Sequence, residues 1–528
     1  MRVWLVAGLL LAILLQGVFH ALALVTDGDV EGSLLHHGWL ILRGELGLFS
    51  PEMTGHRTPG PYWLVGLSQL LFGPSVLAGR AFSLLAGWAG VLVLWFTSRR
   101  ALGEPAGTLT LLFLASSQYL MAHMAVAAFH GLAFLWVALG AWFLVASQSS
   151  WRREAVVLCA WGLFLTRPQF GLVVPLAGLW ALVGAGGIRW TLLGALLLPG
   201  AAFLAGYWPG VLKMAAYVPG LAGWAAGQGW VSVPMPGEPD WGTRIWRAAA
   251  LALRSYKAWI ALGLLGWAIW PVGGQRLHRK ATLVLWAFLG LAASQLLVVN
   301  FSWKVAVGYF PAFAGLLAMP LAARYAQLLA PLNSAPPDRI LTRRVVAAAA
   351  LAGALLIGPV ASPPPNLPLS VDVTRFATLE AERAGRQLAR LIPPGTPIFL
   401  FGPATVPHLA GLRPPIQPSN HLETLIAGRV LSESLGLHPL AYDLVERGIE
   451  SAIRQSGMWS SFEISLWLED ISPMPYAILW RDGLLARVDR YGWQAPAALM
   501  LALLERHYEP AGTVAYHGVK LEVWRRKS

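Results

Sequence analysis

Val3 to Thr26 is a run of twenty-four residues without a single Lys, Arg, Asp or Glu. A helix rises about 1.5 Å per residue, so roughly 20 apolar residues cross the hydrocarbon layer of a bilayer. Such a run leaves one class of fold open: a membrane-spanning helix that satisfies its backbone polar groups internally. Ala21-Leu22-Ala23 has the look of a signal-peptidase site. The run is long for a signal h-region, however, and a retained first span is expected. Similar stretches recur along the chain. Mean hydropathy is +0.57 and 12% of the residues are charged, against roughly 25% in soluble domains. The 528 residues are therefore expected to form an α-helical polytopic membrane protein. About eleven spans are predicted, near 3–25, 76–98, 105–122, 131–147, 154–166, 168–187, 190–208, 247–270, 281–299, 306–328 and 344–361.

A net charge of +13 raises the question of nucleic acid, and the distribution of that charge answers it. From Ser362 onward there are 16 basic and 16 acidic residues, against 23 and 10 before it. Arg99-Arg100, Arg152-Arg153, Arg276 to Lys280 and Arg339 to Arg344 fall in alternate loops. That is a positive-inside pattern rather than a nucleic-acid footprint. With Arg2 inside, residues 27–75, 209–246, 300–305 and the tail lie outside, together with seven of the ten acids of the membrane part. The lone Cys159 excludes an intramolecular disulfide and a cysteine-cluster metal site.

The first outer loop, 26–75, is too apolar for an ordinary loop. Its stretches Ser33 to Leu42 and Tyr62 to Phe72 are expected as helices lying along the interface. Trp208 to Trp246, rich in Trp, Gly and Pro, suits the same layer. A Pro-rich linker at 362–370 separates a membrane domain, 1–361, from a tail, 371–528. In the tail an amphipathic helix near Thr374 to Leu391 precedes strands at Ile398 to Phe401, Tyr476 to Trp480 and near Val519 to Trp524. This alternation predicts a small extracytoplasmic α/β domain with a mostly parallel sheet.

The chemistry gathers at the outer edge. Asp27-Gly28-Asp29-Val30-Glu31 follows the first span directly, where carboxylates are costly to keep ionised. Alone, Asp-Gly-Asp also fits an Asx turn capping an interfacial helix. As chemistry, it offers a general base to a substrate at the outer surface, and a ligand to a divalent metal. In His56-Arg57-Thr58-Pro59-Gly60-Pro61-Tyr62-Trp63 a stiff turn would present Arg57 to a phosphate. The same segment reads as an aromatic anchor with a proline-led entry into a helix. Arg167 interrupts an apolar stretch and needs a partner, either a lipid phosphate or a carboxylate such as Asp29. Lys304 is a third outer cation, and Tyr309 adds a hydroxyl. Each cation alone is an interface snorkeller. Three on the face that carries the acids make a site.

The order of these features resembles the bacterial GT-C glycosyltransferases, in particular the protein O-mannosyltransferase and aminoarabinose (lipid A) transferase group. The likeness is carried by the acid after the first span, by Pro61-Tyr62-Trp63 with Leu71-Phe72-Gly73, and by Ala78-Gly79-Arg80. Leu165-Thr166-Arg167, Ser302-x-Lys304-x4-Tyr309-x-Pro311 and the Pro-rich link into the tail extend it. The resemblance implies a GT-C fold, a catalytic first-loop acid and a sugar donor on a polyprenyl phosphate, at the bacterial cytoplasmic (inner) membrane. Set by distance to Gly44-Glu45, the catalytic position falls on Asp29, with Asp27 as neighbour. The lipid-phosphate cations fall on Arg57, Arg167 and Lys304, with Tyr309 beside them; Glu31, His56 and His130 are candidate substrate contacts, and His130 fits a polar helix-end residue at the interface equally well. Three departures mark a divergent branch. Asp29-Val30 stands for Asp-Glu, Arg57-Thr58-Pro59-Gly60-Pro61 for Lys-Pro-Pro, and His130 for a second outer-loop acid.

The expected function is transfer of a sugar from a polyprenyl phosphate to a hydroxyl of a lipid, glycan or protein. The pattern fixes no cofactor and leaves a divalent metal open; His36-His37 read as interfacial residues, with an outer metal contact as the alternative. Two other functions compete. A transporter or flippase of a lipid-linked substrate would need polar span centres and duplicated halves, and neither is visible here. A GT-C-fold binding protein without catalysis would fit the missing second acid.

Overall fold

The structure is a computed structural model. It describes residues 2–24, 30–47, 59–167, 170–183, 189–216, 278–298, 310–330, 376–413, 474–483 and 504–528, with isolated positions at 246–265 and 345–353 and residues 485 and 501. They form two compact units. The first comprises Met1–Ala21, Ala81–Ala202 and Pro239–Pro368, and the second Leu22–Arg80, Phe203–Glu238 and Leu369–Ser528.

The helices begin with α1 (Arg2–Ala23), α2 (Val30–Leu42), α3 (Pro59–Phe72), α4 (Val76–Leu102) and α5 (Glu104–Ala115). They continue with α6 (Gln118–Met124), α7 (His130–Ala141), α8 (Arg152–Thr166), α9 (Val173–Val183) and α10 (Trp190–Ala216). Further helices run over Arg279–Val298, Phe310–Ala314 and Ala318–Leu329. By length and composition Val3–Ala23, Val76–Leu102 and Ala312–Leu329 can each cross a membrane, and shorter apolar helices accompany them. The apolar face of α1 is left open, with Val3, Trp4, Leu11 and Leu15 all exposed, as a lipid-facing helix requires.

The first unit packs by close backbone approach. A Cβ on Gly131 of α7 would strike the Ser83 carbonyl of α4, and one on Gly90 would lie 2.6 Å from the Phe134 ring. A Cβ on Gly162 of α8 would meet the Trp136 indole. Small residues at helix crossings let dispersion contacts accumulate where no hydrophobic drive separates helix from lipid. Phe113 of α5 meets Tyr325 edge-on at 5.9 Å, and the Tyr325 hydroxyl donates to Leu262 O at 3.0 Å.

One expected span is interrupted. The stretch 105–122 is not one helix but α5 and α6, parted at Ser116-Ser117. Ser116 Oγ donates back to Phe113 O at 2.7 Å, and Ser117 Oγ accepts from Leu120 N to cap α6. Serine hydroxyls compete with the helix ladder for backbone partners, and two in a row end it. The expected spans at 247–270 and 344–361 lie largely outside the described residues.

In the second unit α2 and α3 are the two first-loop helices, and they cross at glycines. A Cβ on Gly38 would come 2.8 Å from Tyr62 O, and one on Gly66 would collide with Gly38 O. The tail helix Ala377–Leu391 buries Ala377, Ala381, Ala384 and Leu388 along one stripe. The sheet runs β1 (Ile398–Phe401), β2 (Tyr476–Leu479), β4 (Val519–Arg526), β3 (Tyr508–Tyr516). Among the described residues β1 and β2 are parallel, while β2–β4 and β3–β4 are antiparallel. Where the sequence predicts a mostly parallel sheet, the four described strands form a mixed one. The reason is the two-residue turn His517-Gly518, with φ of 46° and 75°, which closes β3 on β4 as a hairpin. Tyr508–Tyr516 had no place in the sequence reading, because Pro510 and Gly512 break its strand pattern. At an edge with a bulge both are tolerated.

Candidate active site and its supports

The structure describes what flanks the acid segment. Asp27, Asp29, His56, Arg57, Lys304 and Tyr309 lie outside the described residues. Leu24 ends one flank and Glu31, in the first turn of α2, begins the other; both are fully buried. Arg80, near the start of α4, reaches both. Its Nε donates to Glu31 Oε1 and its second terminal nitrogen to Oε2, each at 2.7 Å. The remaining nitrogen donates to Leu24 O at 3.0 Å and to Thr378 Oγ1 at 3.4 Å. Thr378, on the tail helix, donates its hydroxyl hydrogen bond to Leu22 O at 3.0 Å. Two parallel N–H···O bonds to one carboxylate are the strongest form of this pairing. Glu31, expected to touch substrate, commits both carboxylate oxygens to Arg80.

A second buried network lies beside α2. Gln69 Nε2 donates to Leu35 O at 2.7 Å, so its Oε1 accepts, and His408 Nε2 donates to it at 2.7 Å. That proton leaves His408 Nδ1 as the acceptor for His36 Nδ1–H, 3.4 Å away. Burial, and then the Arg413 charge, push the His36 imidazole down to about 4. Burial, and then His36, push His408 down to about 3. Both rings are neutral at pH 7. His37 is engaged separately, with Ser33 Oγ at 3.2 Å. A Cβ on Gly32 would fall 2.6 Å from Thr405 Oγ1 on the helix Thr405–Leu409, so glycine is needed for that approach. Among the described residues no three His, Cys, Asp or Glu side chains converge as metal ligands.

In the first unit two of the expected residues come together. Arg167 caps α8 in an extended conformation (φ −160°, ψ 129°), as a residue preceding proline prefers. Its guanidinium lies over the Phe129 ring, 4.4 Å from the centroid, well inside cation–π range. Phe129 in turn packs on His130 at 4.1 Å, and His130 meets His123 edge-on at 4.9 Å. His130 is buried, and its Nδ1 has no hydrogen-bond partner among the described residues. His123 Nδ1 donates to Tyr119 O at 2.8 Å; a carbonyl can only accept, so that nitrogen carries the proton. Phe129 and His123 escaped the sequence reading. The signal available was a second histidine seven positions before His130 in an otherwise apolar stretch. Glu31 belongs to the other unit.

Residues 56–218 match the family described as dolichyl-phosphate-mannose-protein mannosyltransferase. No curated protein matches the chain by sequence. The crystal structure of ArnT from Cupriavidus metallidurans bound to undecaprenyl phosphate superposes with a TM-score of 0.55 at 13% identity. That match covers 99% of this chain and 97% of ArnT. The apo structure of the same protein matches at 0.54 and 14% identity, covering 98% and 97%. At such identity the likeness is one of fold. The chain is a helical membrane protein with the fold of the GT-C glycosyltransferases. Within that class it resembles the ArnT and protein mannosyltransferase group.

Proposed function

We propose that the chain transfers a sugar from a polyprenyl-phosphate donor to a hydroxyl acceptor at the outer face of the bacterial cytoplasmic membrane. The observation that carries this is the near full-length likeness to ArnT, whose structure holds undecaprenyl phosphate. The acceptor oxygen forms a bond to the sugar C1 as the bond from C1 to the phosphate oxygen breaks, with inversion at C1. Asp29 takes the acceptor proton as general base, with Asp27 beside it. Charge builds on the departing phosphate and positive character on the anomeric carbon. Arg57, Arg167 and Lys304 stabilise that phosphate, and Tyr309 adds a hydroxyl to it. Glu31, through Arg80, supports the acid segment rather than touching sugar, and His130 faces substrate. The acceptor is a lipid, glycan or protein, and the tail domain, 371–528, lies on the same outer side.

Membranes carrying the chain, assayed with a panel of tritiated undecaprenyl-phosphate sugars, test the reading. Wild type transfers label and Asp29→Asn loses it by a factor of about 100 or more. Equal transfer by the two removes Asp29 as the base. A second reading rests on His130, which stands where the resembled group carries an acid: a donor-binding protein without catalysis. It predicts saturable donor binding with no transfer from any sugar of the panel.

A further inference from the structure

The tail helix Ala377–Leu391 has two faces, and packing accounts for only one of them. Ala377, Ala381, Ala384 and Leu388 are buried. On the opposite side Leu379, Arg383, Arg386 and Arg390 are exposed. At about 100° per residue these four fall within an arc of about 60°, so three guanidinium groups line one stripe. The two acids of the helix sit on its flanks and are engaged there. Glu380 meets His517 Nδ1 at 3.1 Å, and Glu382 accepts from Val76 N at 3.2 Å. The Glu382 charge reaches Arg386 from one edge, and the stripe as a whole stays strongly cationic.

The same helix is tied to the ends of two apolar helices. Thr378 donates to the carbonyl of Leu22, the penultimate residue of α1, at 3.0 Å. Four residues on, Glu382 binds the amide of Val76, the first residue of α4. Arg80, a turn into α4, donates to Thr378 Oγ1 at 3.4 Å. Val3–Ala23 and Val76–Leu102 are each long and apolar enough to cross a membrane. The ends of such helices mark the edge of the hydrocarbon layer, so a helix bonded to both lies at the level of the lipid head groups. Its ties occupy one flank, and the arginine stripe is centred about a quarter turn round from them.

We propose that Arg383, Arg386 and Arg390 form a docking surface for anionic phospholipid head groups, with the tail helix lying along the bilayer surface and Leu379 entering the interface beside them. Guanidinium suits this partner because its fork binds two phosphate oxygens at once. The long apolar stems let the charges reach round the helix to the phosphate layer. A charged helix face far from the bilayer would simply be solvated; here the position of the helix supplies the complementary charge. The surface is separate from the proposed site of sugar transfer, and no residue of that site takes part in it.

The test uses the full chain in nanodiscs of phosphatidylcholine alone and of phosphatidylcholine mixed with phosphatidylglycerol. Hydrogen exchange of amides 377–391 should be slower in the mixed discs, by about fivefold or more, since each cation near an anionic surface contributes about that factor. In Arg383→Gln/Arg386→Gln/Arg390→Gln the two lipids should give the same rate, while the β3 amides keep wild-type protection and report an intact domain. Sodium chloride at roughly 1 M, where the screening length is about 3 Å, should abolish the difference in wild type. That arm needs no variant, so it holds even if the triple variant fails to fold. Native mass spectrometry of the chain released from mixed discs should find phosphatidylglycerol above its share of the bilayer in wild type and at its share in the variant. Equal exchange of the wild-type helix in the two lipids overturns the proposal, as does a difference that survives salt or the triple variant. Protection in both lipids that only the triple variant releases would assign the stripe to an acidic protein segment and overturn the lipid reading.

Discussion

His36 donates its Nδ1 proton to His408 Nδ1 across 3.4 Å, although 372 positions separate the two. The bond joins a first-loop helix to a helix of the tail, and both rings are buried. The bond needs His408 Nδ1 unprotonated, and burial disfavours charge on either ring, which makes the second unit sensitive to acid.

In the unfolded chain each imidazole titrates near its ordinary value of 6.5, but the fold holds His36 at about 4 and His408 at about 3. Above pH 6.5 both states are neutral and nothing is lost. As pH falls through 6.5 the unfolded chain takes up protons first, so stability drops until about pH 4 for His36 and about pH 3 for His408. For His36 alone the full loss is about 3 kcal/mol. Melting in detergent should therefore occur several degrees lower at about pH 5 than at about pH 7.5. Replacing His408 by Gln should lower the Tm at neutral pH and flatten its pH dependence. An unchanged slope would assign the acid sensitivity elsewhere.

Arg167 and Phe129 should separate by size of effect. Removing a cation that stabilises a leaving phosphate costs on the order of 100-fold in turnover, so Arg167→Ala is expected to approach the loss seen for Asp29→Asn. Phe129→Leu removes a cation–π contact of about 1 kcal/mol and should reduce transfer only several-fold. Steady-state kinetics on undecaprenyl-phosphate sugars distinguishes the two. A Phe129→Leu loss as large as that of Arg167→Ala would show that the ring holds more than the guanidinium.

Gly66→Ala should destabilise the second unit strongly, since its Cβ would collide with Gly38 O, a backbone atom. Overpacking of this kind costs about 1–3 kcal/mol. Gly8 in α1 has nothing within 4 Å of a built Cβ, so Gly8→Ala should be neutral or slightly stabilising, as alanine favours helix. Thermal unfolding of the two variants side by side checks this, and equal melting temperatures would refute the crossing geometry.

At the β3–β4 turn, Gly518 sits at a φ of 75°. Gly518→Val places a β-branched side chain in the left-handed region, at about 1–2 kcal/mol. The loss should be visible as faster exchange of the β3 amides, with little change in α4. Protection of β3 equal to wild type would contradict the turn.

Periodicity and composition read well wherever a residue's neighbours along the chain set its environment. The apolar runs at 3–25 and 76–98 correspond to α1 and α4, Ser33 to Leu42 to α2, and Ile398 to Phe401 to β1. A helix's own hydrogen bonds are local, so its existence is written in local pattern. The break at Ser116-Ser117 and the hairpin at His517-Gly518 are local too, but they hang on single side chains within otherwise continuous or irregular stretches.

The supports of the acid segment are of another kind. Glu31 looked like an accessible outer acid because three carboxylates crowd five positions, yet its oxygens belong to Arg80, 49 residues on. Thr378 closes the same cluster from 298 residues beyond Arg80, and His408 reaches Gln69 across 339. Arg167 and His130, chosen for separate reasons, turn out to share Phe129. No pattern near any of these residues encodes its partner. A buried charge or imidazole must find a partner wherever the chain brings one, and that choice belongs to packing. The apolar helices and the position of the acids were legible in the order of residues, whereas the partner that each buried polar side chain takes follows from contacts that form only when distant segments close on one another.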